Sequence, residues 1–193
     1  MARPKEFDEQ QAVDAAMNAF WDRGYEGTST QDLCAATGLG RSSIYNTFSS
    51  KHELFQRSLE HYSVTGVHTR NALLDTAEDG LDRIRALLEG TVAEELKSGH
   101  RGCLMVNTAA EFGDRDAAVN ARVRADTESH LAMLAGTIRT GQADGTITTG
   151  RAAAELAQFV HASIGGLRLM SRGGAGEPEM LAVAEIALGA LAA

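Results

Sequence analysis

The side chains suited to covalent or metal chemistry are few. Cys103 follows Gly102, with His100 and Arg101 just before it. A thiol at a helix start beside positive charge is a nucleophile toward electrophiles and oxidants. Asn107, Phe112 and His161 join Cys103 and His100 as candidate lining residues of an effector site. His100 and Cys103 stand three apart and could share a metal only with a distant third ligand. No second close pair accompanies them, so no metal is expected. Glu94 and Glu95 read as a solvated helix face and not as a catalytic dyad. No Ser-His-Asp spacing, phosphate-binding loop or dinucleotide glycine pattern occurs, so neither catalytic residue nor cofactor is expected.

Charge narrows the remaining classes. The chain carries 18 Lys and Arg against 26 Asp and Glu, a net charge of −8, which opposes indiscriminate attraction to nucleic acid. Any DNA contact must come from where single basic residues stand, since residues 1–51 are themselves slightly acidic. With two cysteines a disulfide framework is not expected, which fits a reduced cytoplasm. No apolar run is long enough to span a bilayer, so no membrane partner is expected.

These residues need elements to position them, and the signals are helical throughout. Apolar residues at 3- and 4-residue spacing predict a helix from Phe7 to Arg23, stopped at Gly24. A short helix runs from Thr30, read as its cap, to Thr37, before Gly38. A third covers Arg41 to Phe48 and a fourth Lys51 to about Val67. Further helices are expected near 79–98, 103–112, 116–142, 151–172 and 178–191, with Pro178 in the first turn of the last. Large aromatics crowd the first third, as a small unit needs to bury enough area. The remainder is rich in Ala, Leu and Gly. The chain is therefore expected to be all-α, with a head at 1–50 and a body at 51–193.

The head carries the most specific pattern. Between Thr28 and Phe48, a small residue at Cys34 suits a steep helix crossing, and Gly38 tolerates the positive φ of a tight turn. Leu33, Leu39 and Ile44 would form the shared core, joined by Phe48 and Leu54. This run resembles the TetR-like regulators, whose recognition helix ends in an aliphatic-Tyr-x-x-Phe signature, here Ile44-Tyr45-Asn46-Thr47-Phe48. Ser50-Lys51-His52-Glu53-Leu54-Phe55 is similar to the family's start of helix four. Arg3 to Asp8 and Arg23 to Thr30 agree as well. The resemblance implies a helix-turn-helix that meets operator double-stranded DNA.

Position by position, Arg41, Ser42 and Ser43 open the third helix, where side chains meet base edges in the major groove. Tyr45 and Asn46 face the same side. Lys51, Thr28 and Thr30 suit phosphates, Thr30 equally well as a cap alone, and Arg3 and Lys5 a minor-groove arm.

For the body the resemblance implies effector binding and homodimerisation. Arg101 to Glu111 is similar to a subgroup with Gly-Cys at the start of the sixth helix, some of whose members sense electrophiles or oxidants. The dimer interface is expected on Leu156, Phe159, Val160, Ser163, Ile164 and Leu167, with Leu181, Ala184 and Leu188 of the last helix; internal packing is the other use of such a stripe. The expected function is a dimeric regulator, by family habit a repressor, released by a small-molecule or electrophilic effector. Effector binding would change the spacing of the two heads. The alternative is a helical small-molecule-binding protein without specific DNA binding, separable by salt-dependent retention of palindromic duplex.

Overall fold

A computed structural model describes residues 8–193, so Arg3, Lys5 and Phe7 lie outside the described residues. Within them the chain forms α1 (Glu9–Arg23), α2 (Thr30–Thr37), α3 (Arg41–Phe48), α4 (Lys51–Leu74), α5 (Gly80–Ser98), α6 (Leu104–Phe112), α7 (Ala117–Asp144), α8 (Ala153–Arg172) and α9 (Glu177–Leu191). An isolated antiparallel bridge joins Ile147 to Ala192. No described helix is long and apolar enough to cross a membrane.

Two compact units emerge. One comprises the described residues up to Thr65 together with Asn107–Val123; the other comprises Gly66–Val106 and Arg124–Ala193. The unit holding the helix-turn-helix thus reaches past residue 50 and takes in a segment much later in the chain.

The first unit is built by caps at its helix ends and aromatics at its centre. Asp8 starts α1 by accepting the N–H groups of Gln10 and Gln11, and Gly24 ends it at φ 75°. The cap of α2 is Ser29 and not Thr30. Ser29 stays extended (φ −81°, ψ 164°), and its Oγ accepts the Asp32 N–H while the Asp32 carboxylate accepts the Ser29 N–H. That reciprocal pairing satisfies two orphan donors at once, so the helix begins one residue past the serine. Phe20, Leu33, Ile44, Phe48, Leu54, Phe55 and Leu59 are all buried to 1% exposure or less. Leu39 and Cys34 are only half-buried, so the turn's core rests on Leu33 and Ile44.

The second unit is a packed set of helices. Ile84, Leu87, Leu88 and Val92 of α5, Leu134 and Ile138 of α7, and the inner faces of α8 and α9 form one apolar core. Helix α4 runs to Leu74, beyond the expected Val67, because Leu74 is buried in that core and Leu73 packs against it. Gly80 opens α5 against Gly141 of α7, where a side chain on Gly80 would overlap the Gly141 backbone.

Leu156, Val160, Ile164, Leu167, Ala184 and Leu188 also belong to this core. The stripe expected at the subunit interface therefore faces inward, and each of its large residues gains roughly 1.5–3 kcal/mol by burial. The outward residues are Phe159, Leu169 and Ile186, at 43%, 68% and 74% exposure.

The Gly80–Gly141 approach yields a test. Gly80→Ala should cost about 1–3 kcal/mol through overpacking and lower the Tm by at least about 2 °C. A Tm unchanged in scanning calorimetry would show that the two helix ends can separate freely.

Candidate nucleic-acid interface

The first turns of α2 and α3 are chemically opposite. At α2, Ser29 and Asp32 occupy two of the free amides, and Asp32 is also paired with Arg23. The Ser29 hydroxyl and N–H bonds hold the Asp32 carboxyl below the usual range. At α3, Gly40 makes no side-chain cap, and no acid stands in the first turn. Its amides and helix dipole are open to an anion, with Arg41 at the same end.

Arg41, Ser42 and Asn46 are exposed, while Ser43 and Tyr45 are half-buried. Ile44 and Phe48, fully buried on the opposite side, fix which face of the helix looks outward. The Arg41 guanidinium lies 5.6 Å from the Tyr45 ring centroid, and the Tyr45 hydroxyl is 2.9 Å from Thr30 Oγ1. Arg41, Tyr45 and Thr30 therefore form one linked patch. Lys51 sits elsewhere, with its Nζ 4.3 Å above the Tyr25 ring. Thr28 does not join the patch: it is buried, and its hydroxyl donates to Gly24 O at 2.6 Å. A hydroxyl committed to its own turn has nothing to offer a phosphate.

Residues 12–57 match the family described as bacterial regulatory proteins, tetR family, and residues 80–184 match the tetracyclin repressor-like C-terminal domain. The chain belongs to the TetR family. It is therefore a helix-turn-helix transcriptional regulator. It is 28% identical over 184 residues to the transcriptional repressor ComR of Escherichia coli, covering 94% of this chain and 88% of that one. A cysteine-substituted form of the TetR regulator CifR, solved with 26-bp double-strand operator DNA, is 32% identical, with a TM-score of 0.86. That alignment covers 98% of this chain and 100% of CifR. The E. coli regulator NemR, in its reduced form, is 19% identical with a TM-score of 0.86 over 95% and 96% of the two chains, a likeness of fold.

The turn that leads into this TetR helix-turn-helix is braced by a residue whose contact with it no spacing in the sequence reveals. Glu111, near the end of α6, accepts the Tyr25 N–H at 2.9 Å and the Glu26 N–H at 2.8 Å. Its carboxylate lies against Gly24, where any Cβ would press on it. Arg115 binds the Glu111 carbonyl, and Asp116 holds His52 Nε2 at 2.8 Å. Phe112, expected to line an effector site, packs instead on Tyr25 and Phe55, with ring centroids at 5.2 and 5.5 Å. Its role is structural within this unit.

Cys103 is half-buried just before α6, and Asn107 is half-buried within it. The Gly102 N–H donates to the Glu95 carboxylate at 3.0 Å, and Glu95 is 1% exposed. Glu95 is thus a buried acceptor and not part of a solvated face, and it places a carboxyl group against the segment that leads to Cys103. His100 Nδ1 lies 2.8 Å from Ser171 Oγ. His161 Nδ1 lies 3.1 Å from His130 Nδ1, a partner that spacing in the sequence did not reveal.

Glu111→Ala should strip the acceptor from two backbone donors and lower stability by roughly 1–3 kcal/mol. Glu111→Gln, which keeps one oxygen, should recover part of that. Urea unfolding of both variants checks this; an unchanged midpoint for the alanine form would show that water serves the turn equally well.

Proposed function

We propose that the chain binds a palindromic operator as a homodimer, represses transcription from it, and is released by a small ligand held in its body. The observation that carries the DNA reading is the uncapped N-terminus of α3, flanked by exposed Arg41, Ser42 and Asn46. The complex of CifR with operator DNA and the likeness to the repressor ComR support the same reading. A bacterial operator lies in the cytoplasm, so the protein acts there.

In this reading α3 enters the major groove N-terminus first. Arg41 forks onto a guanine, and Ser42, Ser43 and Asn46 meet neighbouring base edges or sugar-phosphate. The Tyr45 and Thr30 hydroxyls hold a phosphate as a pair, and Lys51 holds another. Because the protein is acidic overall, these few contacts carry the affinity, which makes each one costly to lose.

The homodimer is proposed on the outer faces of α8 and α9. Phe159, Ala162, Gly166 and Leu169 recur at 3- and 4-residue spacing and form an exposed stripe; Ile186 and Gly189 continue it on α9, which packs beside α8. A side chain at Gly166 or Gly189 would meet nothing within 4 Å, so both leave room for close helix approach. Leu181, half-buried, and Ser163, half-buried, flank the stripe. A second copy packed isologously on this stripe makes a four-helix interface and sets two α3 helices about one DNA turn apart.

Lys51→Ala should weaken binding to every sequence and flatten the log–log salt dependence by about one unit. Arg41→Ala should instead relax sequence preference by roughly 1–3 kcal/mol at one base pair. Fluorescence anisotropy with operator and scrambled duplexes separates the two. A folded Arg41→Ala protein with unchanged preference would place base reading elsewhere.

Leu169→Glu should give monomers in sedimentation at micromolar concentration, with loss of tight operator binding. A dimer that persists in this variant would put the interface on another face.

A further inference from the structure

Within the body, α4, α5, α7 and α8 bring together a group of cations and histidines that no fold requirement explains. Arg70 comes from α4, His130 and Asp126 from α7, His161 and Arg168 from α8, and Glu94 from α5. Arg168 reaches Glu94 at 3.1 Å. Arg70 is less well served. Its side chain is 16% exposed, its only ion pair among the described residues is to Asp126 Oδ1 at 3.9 Å, too long for a hydrogen bond, and its Nη2 is buried without an acceptor. Gly66, one turn earlier on the same helix, leaves the space that the guanidinium fills, since a Cβ there would lie 3.0 Å from Arg70 Nη1.

His130 has the same deficiency. It is 8% exposed, its ring stands edge-on to His161 with centroids 5.1 Å apart, and its Nε2 is buried with no partner. Buried polar atoms without partners are uncommon and costly, and two on neighbouring helices call for a shared one. When the His161 Nδ1–H donates to His130 Nδ1, the His130 proton sits on Nε2, making it a second donor beside Arg70.

We propose that this is a binding site for a small organic carboxylate, whose oxygens accept from Arg70 Nη2 and His130 Nε2. A carboxylate offers about four lone-pair positions, and with them the charge-assisted hydrogen bond that Arg70 Nη2 does not make to the more distant Asp126. Burial, then the charges of Arg70, His161 and Arg168, push the His130 imidazole down to about 3. It is therefore neutral at pH 7, so it supplies a hydrogen bond while Arg70 supplies the charge. The site deepens the ligand-responsive reading above: release from DNA rests on that reading, whereas binding of the acid does not.

The test uses full-length protein at pH 7 with sodium benzoate and sodium hexanoate, each beside its primary amide. At about 10 mM the acids should raise the Tm by about 2 °C or more while the amides do not. Titration calorimetry should show Arg70→Gln weakening the acids roughly tenfold or more. In spectra of protein labelled with 15N-histidine, the acid should move the His130 ring Nε2. The wild-type comparison of acid with amide, together with the His130 shift, decides the matter even if Arg70→Gln does not fold. Equal effects of acid and amide, no effect of either acid, or an equal effect of sulfate at matched ionic strength would overturn the proposal. Operator binding on the same samples keeps the two readings apart: DNA bound with no acid effect overturns this site alone.

Discussion

An eight-residue helix cannot hold itself in water, and α3 has eight residues. Everything that this chain can do with DNA depends on how Ile44 and Phe48 are gripped from behind. Both are essentially unexposed, in a core with Phe20, Leu33, Leu54 and Phe55. The aromatic set of Phe20, Tyr25, Phe55 and Phe112, with centroids 4.9–6.0 Å apart, supplies the area that so small a unit needs. Glu111 then fixes the turn between α1 and α2 through two backbone hydrogen bonds. The outward face of α3 is thereby presented as a rigid surface.

That rigidity matters because the electrostatics are unfavourable overall. A net charge of −8 leaves no general attraction to a polyanion, so affinity must be local. The contrast between the capped start of α2 and the bare start of α3 is the local solution. Acid is placed where a helix needs closing and withheld where one must stay open. Arg41, resting against Tyr45, and Tyr45, bonded to Thr30, lose less freedom on contact than isolated long side chains would.

The helices and the helix-turn-helix were legible in the sequence because their signals are local: apolar spacing, glycine stops and a run of signature residues. What was not legible depends on partners far along the chain. Ser29 outcompetes Thr30 as a cap through its reciprocal contact with Asp32, which the local pattern Ser-x-x-Asp displays. Thr28 suits a phosphate by type and position, yet its hydroxyl is spent inside its own turn. Helix α8 is apolar on two faces, Leu156–Val160–Ile164–Leu167 and Phe159–Ala162–Gly166–Leu169. Periodicity alone cannot say which of these meets α5 and α9. Glu111 acts on a backbone N–H 86 residues away, and His130 meets His161 across two helices; neither leaves any trace in spacing.

The central claim is that two α3 helices, one from each subunit, read successive major grooves. Selection of bound duplexes from a random pool tests it most directly. The bound pool should be enriched in an inverted repeat whose half-sites lie about one helical turn apart, roughly 10–10.5 base pairs or a multiple of it. Arg41→Ala should relax one position symmetrically in both half-sites. A pool that stays random, or one enriched in a single unrepeated site, would contradict it.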